Sequence, residues 1–398
     1  MDAVTAMTGR GGWPMTVFLT PDGAPIFAGT YYPKRSMGHH PSFMDVMGAV
    51  TDAWRTNRSG ALDQANRIAE AIAQSAPPAA GLPTMDDLDR SVAMVANTFD
   101  RVNGGFGTAP KFPQAPTLEL LMRTAAVRPD TEAGATSLSM PTQLLRTMAR
   151  GGISDHLFGG FARYSVDAQW IIPHLEKMLY DNALLARVYL RTWQITGDAS
   201  FLDTAIEVLD YLDGPMADPA GGIHSAEDAD SEGVEGRFAV WTWDELGAVL
   251  GTDRDLAAAI YGATPEGNFE GANNLHRFVD LADVAAAAGV TVDEVVERKA
   301  SIDERLRAVR RLRVPPARDD KLVAAWNGMA LRAFAEAAAI LGNDRYLARA
   351  TAIAEFLVST GSPDGNLVRS WRDTAGHPAF ADDHAAVALG MYALYQAT

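Results

Sequence analysis

Residues Gly151 to Asn182 read GGISDHLFGGFARYSVDAQWIIPHLEKMLYDN, and this stretch decides the fold. It gathers Asp155, His156, Arg163, Tyr164, Asp167, Trp170, His174, Glu176, Lys177, Tyr180 and Asp181 into one turn-rich segment that runs into a helix. Proline suits the first helical position, where its missing N–H has no partner, so Pro173 marks the start of a predicted helix over 173–196. Glu176 then falls in the first turn, where the helix dipole favours negative charge. At about 100° per residue, His174, Lys177 and Asp181 share one face, and Leu175, Leu179, Ala183 and Ala186 share another. A polar stripe facing a cavity is the preferred reading; a solvated outer face is the alternative.

Downstream and upstream of this stretch the helical period continues. It predicts helices near 85–101, 116–127, 138–150, 199–213, 243–261, 279–312, 321–341, 344–360 and 380–397. Glycine-rich turns recur among them at Gly104-Gly105-Phe106-Gly107, Gly159-Gly160-Phe161 and Gly221-Gly222-Ile223, with a weaker Pro363-Asp364-Gly365-Asn366. Such recurrence suggests helical hairpins arranged around an axis, an α/α toroid. Ahead of them lies a small α/β piece: apolar runs Met15–Leu19 and Pro25–Ala28 flank the turn Thr20-Pro21-Asp22-Gly23, and Ser42 caps a helix to about Asn57. QSAPPAAGLPT is a Pro/Ala-rich linker. The expected organisation is therefore 1–73 α/β, 74–84 linker and 85–398 toroid-like.

Bulk properties exclude several classes. The 398 residues are 47% hydrophobic, as in an ordinary globular protein. No apolar run is long enough to span a bilayer, and MDAVTAMTGR lacks a basic start followed by an apolar core, so the cytoplasm is the expected compartment. A net charge of −16 argues against nucleic acid or an anionic membrane as partner. The basic run Arg298–Arg318 is interleaved with Glu297, Asp303 and Glu304 and reads as a solvated helix face. Cysteine is absent, so this chain has no thiol chemistry, disulfide or thiolate metal site. No cofactor motif is found: GxxxxGK, GxGxxG after a strand, HExxH and GxSxG are all missing.

Three further polar clusters stand out. His224-Ser225-Ala226-Glu227-Asp228-Ala229-Asp230-Ser231-Glu232, followed by Glu235, bunches carboxylates whose mutual repulsion suits general acid–base work. Its likeness to a calcium loop fails at the twelfth position, Ala239, so no metal is expected there. Arg318-Asp319-Asp320-Lys321 leads into Trp326-Asn327; Asp320 reads as an N-cap, while Asn327 in an apolar helix must find partners. Trp371-Arg372-Asp373 precedes Asp382-Asp383-His384, where capping is again the alternative to a site.

GGWPMTVFLTPDGAPIFAGTYYP, KFPQAPTLELL, the Gly151–Asn182 stretch, EDADSEGVEGRFAVWT, GNFEGANNLH, DDKLVAAWNG and ADDHAAVALGMYALYQAT together resemble the spermatogenesis-associated protein 20 family, whose bacterial members are called thioredoxin domain-containing proteins. The resemblance covers nearly the whole chain. It implies a thioredoxin-like domain followed by an (α/α)6-type toroid similar to six-hairpin glycosidases and N-acylglucosamine 2-epimerases. Family members carry a CxxC segment before GGWP; this sequence does not, so thiol exchange is not carried over, although Pro14 matches the cis-proline of that fold. About ten of the twelve helices of such a toroid are counted, so an open, shortened or partner-completed toroid is expected.

The toroid resemblance implies a carbohydrate-like ligand. Glu227, Asp228, Asp230 and His174 are the expected acid–base groups. Asp155, His156, Arg163, Tyr164, Trp170, Glu176, Lys177, Asp181, Asp320, Lys321, Trp326, Asn327, Asp382 and Asp383 are the expected substrate contacts. A pair of carboxylates would serve hydrolysis and two bases epimerisation. A non-catalytic binding module and a truncated product remain the alternatives; in the latter an unpaired β edge at Met15–Leu19 would invite self-association or another chain.

Overall fold

A computed structural model describes residues 1–9, 11–38, 40–75 and 81–398. Part of the expected linker, residues 76–80, lies outside the described residues. The chain forms two compact units, Met1–Met85 and Asp86–Thr398.

The first unit is α/β: helix α1 (Asp2–Thr8), strands β1 (Thr16–Leu19) and β2 (Pro25–Gly29), and helices α2 (Phe43–Thr56) and α3 (Arg58–Ser75). β1 and β2 form an antiparallel hairpin with Val17 opposite Ala28 and a register shift at Phe18/Leu19. The Trp13–Pro14 bond is cis. Ser42 caps α2 as expected, its Oγ accepting from Asp45 N at 3.2 Å while Asp45 Oδ2 accepts from Ser42 N at 3.1 Å.

The second unit is mainly helical. Its elements are α4 (Met85–Thr98), α5 (Ala115–Val127), α6 (Glu132–Arg150), β3 (Tyr164–Ser165), β4 (Pro173–His174), β5 (Lys177–Met178), α7 (Leu179–Thr196) and α8 (Ala199–Asp213). There follow β6 (Ala226–Glu227), β7 (Asp230–Ser231), β8 (Val234–Glu235), α9 (Trp243–Leu250), α10 (Arg254–Tyr261), α11 (Leu281–Ala288) and α12 (Val292–Arg310). The unit closes with β9 (Arg318–Asp319), β10 (Leu322–Val323), α13 (Ala324–Leu341), α14 (Asp344–Val358), β11 (Ser370–Arg372), β12 (Thr374–Ala375) and α15 (Ala381–Ala397). Among the described residues no helix is long and apolar enough to cross a membrane.

Helices α5, α7, α13 and α15 touch in series, and α6, α8 and α14 each pack on the inner helix before them. The result is an arc of α/α hairpins with an inner and an outer layer, the toroid-like architecture expected. α7 and α13 are buried nearly all round, as inner helices must be, whereas α8 and α14 bury one stripe. Helices α9–α12 form a separate packed group around Trp241, Tyr261, Ile302 and Leu306.

The recurring glycine turns have a common job. Gly104 lies against Leu144 of α6, Gly159 and Gly160 against Glu207 and Tyr211 of α8, and Gly221 and Gly222 against Ala352 and Phe356 of α14. Each glycine turn thus lets the chain run across the outer helix of one hairpin. At Gly221 a side chain is excluded twice over, since φ is +103° and a Cβ would come within 2.8 Å of the Ala352 carbonyl.

Two expectations about helices are corrected. The helix expected at Pro173 begins at Leu179. Pro173–His174 instead pairs with Tyr164–Ser165, and Lys177–Met178 pairs with Ala226–Glu227. Neighbouring strands satisfy the backbone of 173–178, so His174, Lys177 and Asp181 do not share a helical face. The Arg298–Arg318 run is not wholly solvated either: Arg310 and Asp303 are buried.

Candidate functional site

The inner helices bring their N-termini to one end of the arc. Phe112, just ahead of α5, packs on Tyr164 with ring centroids 4.8 Å apart, and Tyr164 stacks on His174 at 5.0 Å. Tyr180 in the first turn of α7 meets Trp326 in the first turn of α13 at 4.9 Å. Asp383 in the first turn of α15 accepts from Ala325 N of α13 at 3.2 Å. A rim of aromatic rings and helix N-termini results, all half-buried except Phe112, which is exposed, and Asp383.

Asp181, third residue of α7, is the unusual group on this rim. Its Oδ2 is buried and has no partner among the described residues. Burial pushes its pKa up to about 7; the Glu176 charge adds to the rise, while Arg163 and the Tyr180 hydroxyl oppose it. Arg163 Nη1 donates to Glu176 Oε2 at 2.8 Å, and Arg163 N donates to Glu176 O, closing the β3–β4 hairpin beside it. His174 Nδ1 lies 2.8 Å from Glu235 Oε1, which fixes the ring and leaves Nε2 3.8 Å from Glu176. The rim therefore holds a carboxyl poised near neutrality, an oriented imidazole and an Arg–Glu pair between aromatic faces.

Beneath β5 and β6 is a narrow cavity of about 50 Å³, walled by Asp155, His156, Lys177, Glu227, Asp228 and Arg310 among others. It has room for one or two water molecules, not for a sugar ring. Arg310 binds Asp155 bidentately at 2.8 and 2.7 Å, and Lys177 Nζ donates to Asp155 Oδ2 at 2.8 Å and to Gly159 O at 2.9 Å. Burial opposes ionisation of Asp155, but the two cations outweigh it and hold the carboxyl well below its usual range. Lys177 also sits 4.5 Å above the Tyr211 ring, whose hydroxyl donates to Glu227 Oε2 at 2.6 Å. Burial, reinforced by Arg277, keeps His156 well below its ordinary pKa, and its Nδ1 is unpartnered among the described residues.

The remaining expected site residues divide by place. Asp228 and Asp230 are exposed on the loop, where Asp228 Oδ1 takes Asp230 N at 3.4 Å. Trp170, expected to face ligand, is fully buried and donates from Nε1 to Gly104 O at 3.3 Å. Asn327 is fully buried, accepting from Ile223 N at 2.7 Å and donating to the carbonyls of Ile223 and Val323. Asn182 does the same for Phe161 and Met178 one hairpin earlier, so both amides clamp the arm that follows a glycine turn. Asp320 does not cap α13; it pairs with Arg372 at 2.6 Å, and exposed Lys321 pairs with Asp319 at 3.0 Å. Asp383, not Asp382, accepts from Phe380 N at the start of α15, and Asp382 stays exposed beside Arg369.

Arg310, Glu235 and Tyr211 were not among the expected site residues. Arg310 reads in the sequence as one member of a solvated basic run, and no local pattern sets it apart. Among the described residues no group of three or more His, Asp or Glu side chains is placed to hold a metal ion.

Comparison with known proteins places the chain. Residues 1–73 match the family described as thioredoxin-like DsbH, a protein of unknown function, DUF255. Human spermatogenesis-associated protein 20 is 33% identical over 447 aligned positions, covering 100% of this chain and 56% of that protein, and the mouse protein is 34% identical. The chain thus spans about half the length of the curated relatives it matches. Loose structural likenesses include a sugar epimerase from a ruminal bacterium (TM-score 0.31, 14% identity, 79% of this chain and 100% of that one). Another is a family 76 glycoside hydrolase from a bovine Bacteroides thetaiotaomicron strain (TM-score 0.34, 16% identity, 79% and 65%). The toroid-like reading stands on the helix contacts and not on these superpositions. The chain is similar to spermatogenesis-associated protein 20 along its whole length, and its residues 1–73 match the thioredoxin-like DUF255 family.

Proposed function

We propose that the rim of helix N-termini binds a small polyhydroxylated, sugar-like molecule and carries out acid–base chemistry on it, with Asp181 as proton donor and His174 as the second proton-handling group. The observation that carries this reading is the Asp181 carboxyl, buried with an unpartnered oxygen and a pKa near 7. A general acid works best with a pKa near the working pH. Tyr164, Tyr180 and Trp326 offer flat faces to C–H surfaces, and the Arg163–Glu176 pair offers donors and acceptors to hydroxyls. Glu235 sets the His174 tautomer by holding Nδ1. With no cysteine in the sequence, no step in this chain uses a thiol.

This reading moves the acid role from the 227–230 loop to Asp181. Glu227 is engaged by Tyr211, and Asp228 and Asp230 are solvated. The test is calorimetric titration of the wild type and Asp181→Asn with mono- and disaccharides, followed by product analysis on any that bind. Binding by both proteins, with turnover at least about 100-fold slower in the variant, supports the proposal. Equal turnover in both, or no binding of any saccharide, contradicts it. A non-catalytic binding module is the second reading, favoured by the rim pairs Arg163–Glu176 and His174–Glu235, whose groups already engage one another; binding without turnover in either protein would select it.

A further inference from the structure

A second polar cluster lies between the inner helices, away from the rim. Glu119 and Arg123 of α5, Arg187 and Arg191 of α7, and Arg332 and Glu336 of α13 form one connected set. Glu336 takes Arg187 Nε at 3.0 Å, Arg191 Nη2 at 3.1 Å and Arg332 Nε at 2.9 Å. Glu119 Oε1 takes Arg123 Nε at 2.9 Å and lies 3.5 Å from Arg187. Four guanidiniums face two carboxylates, leaving two positive charges uncompensated in a chain whose net charge is −16. Beside this set, between α5 and α7, is a cavity of about 240 Å³ lined by Glu119, Arg123, Arg191 and Gln194 over an apolar base that includes Met122 and Ile195. Arg191 Nε and Glu119 Oε2 have no hydrogen-bond partner among the described residues.

We propose that this cavity binds a small organic anion, its oxyanion against the guanidiniums of Arg191 and Arg123 and its carbon skeleton over Met122 and Ile195. The arginines supply the charge and Met122 and Ile195 the apolar floor, so an inorganic ion alone would leave half of the lining unused. The C-terminal ends of α5 and α7 lie near Ala126 and Ile195 and oppose an anion, each with about half a negative charge. Two uncompensated guanidiniums outweigh them. Planar guanidinium suits either a phosphate monoester or a carboxylate, so the oxyanion is specified and its parent is not. This site is independent of the proposed chemistry at the rim.

The test is a thermal-shift and calorimetric comparison of the full chain with glycerol 3-phosphate, glycerate, inorganic phosphate and glycerol. One organic anion is expected to raise Tm by about 2–4 °C at roughly tenfold above its Kd, and glycerol to do nothing. Arg191→Gln should weaken that binding at least about tenfold, and Arg123→Gln, at an exposed side chain, serves as the second variant should the first fail to fold. Preference for glycerol 3-phosphate identifies the site as one for phosphate monoesters, and preference for glycerate as one for carboxylates. Inorganic phosphate binding as tightly as either, binding unchanged in a folded variant, or no binding by any probe overturns the proposal.

Discussion

At the scale of single residues, two buried carboxyls behave in opposite ways. Asp181 has its pKa raised from 3.8 to about 7, chiefly by burial. Its folded form prefers the proton, so the stability it contributes is complete below about pH 4 and is lost as pH rises to about 7. The loss above pH 7 is up to about 4 kcal/mol. Asp181→Asn should therefore be increasingly more stable than the wild type between pH 4 and 8, measured by urea denaturation; a constant difference across that range would contradict the burial argument. Asp155 is the reverse case, ionised and clamped by Arg310 and Lys177. Asp155→Ala leaves two buried cations unpaired and should cost about 3–5 kcal/mol in the same measurement. A cost below about 1 kcal/mol would mean that water already reaches the cluster. Sequence spacing brought Asp155, Lys177 and Asp181 to attention but did not separate structural from reactive roles. That separation depends on Arg310, which comes from a helix far along the chain and reads there as one more surface arginine.

At the scale of elements, periodicity was informative wherever packing follows one face. Helix α8 matches the expected span, and α5, α14 and α15 begin within one residue of it. It failed at 173–178, where Pro173 looks like a helix start because both a first helical turn and an edge strand tolerate a missing N–H. What decides between them is Tyr164–Ser165, a strand partner that periodicity does not show. It also failed at 279–312, where Gly289 takes the left-handed conformation and ends α11 before α12 begins. Asn327 was legible as a residue needing partners and Asn182 was not; their partners lie across the hairpin at Ile223 and Phe161. Close helix packing offers a direct check. A Cβ on Gly328 of α13 would lie 2.6 Å from the Ala386 backbone of α15. Gly328→Ala should cost about 1–3 kcal/mol despite its better helix propensity; a stabilised variant would show that α13 and α15 are not in backbone contact. In the first unit, β1 pairs with β2 and with no other strand among the described residues. Amides of Thr16–Leu19 that do not bond to β2 should exchange quickly in the monomer, and protection appearing only at high concentration would show self-association through this edge.

For the whole molecule, the helical unit repeats one device: a glycine turn crosses an outer helix, its arm is clamped by a buried amide in two of three cases, and the following inner helix presents its first turn at a shared rim. Overall charge and composition argue against nucleic acid and an anionic membrane as partners but say nothing of where a ligand sits. The rim emerges only when α5, α7, α13 and α15 stand side by side and put Asp181 next to Arg163, Glu176 and the Tyr180–Trp326 pair. The functional reading rests on Asp181 being protonated near neutral pH at that place. Carbon-detected NMR titration of the side-chain carboxyls, wild type against Asp181→Asn, tests this most directly. One carboxyl should titrate near pH 7 and vanish from the variant's spectrum. If every carboxyl of the folded protein titrates below about pH 5, Asp181 is an ordinary ionised residue and the rim has no general acid.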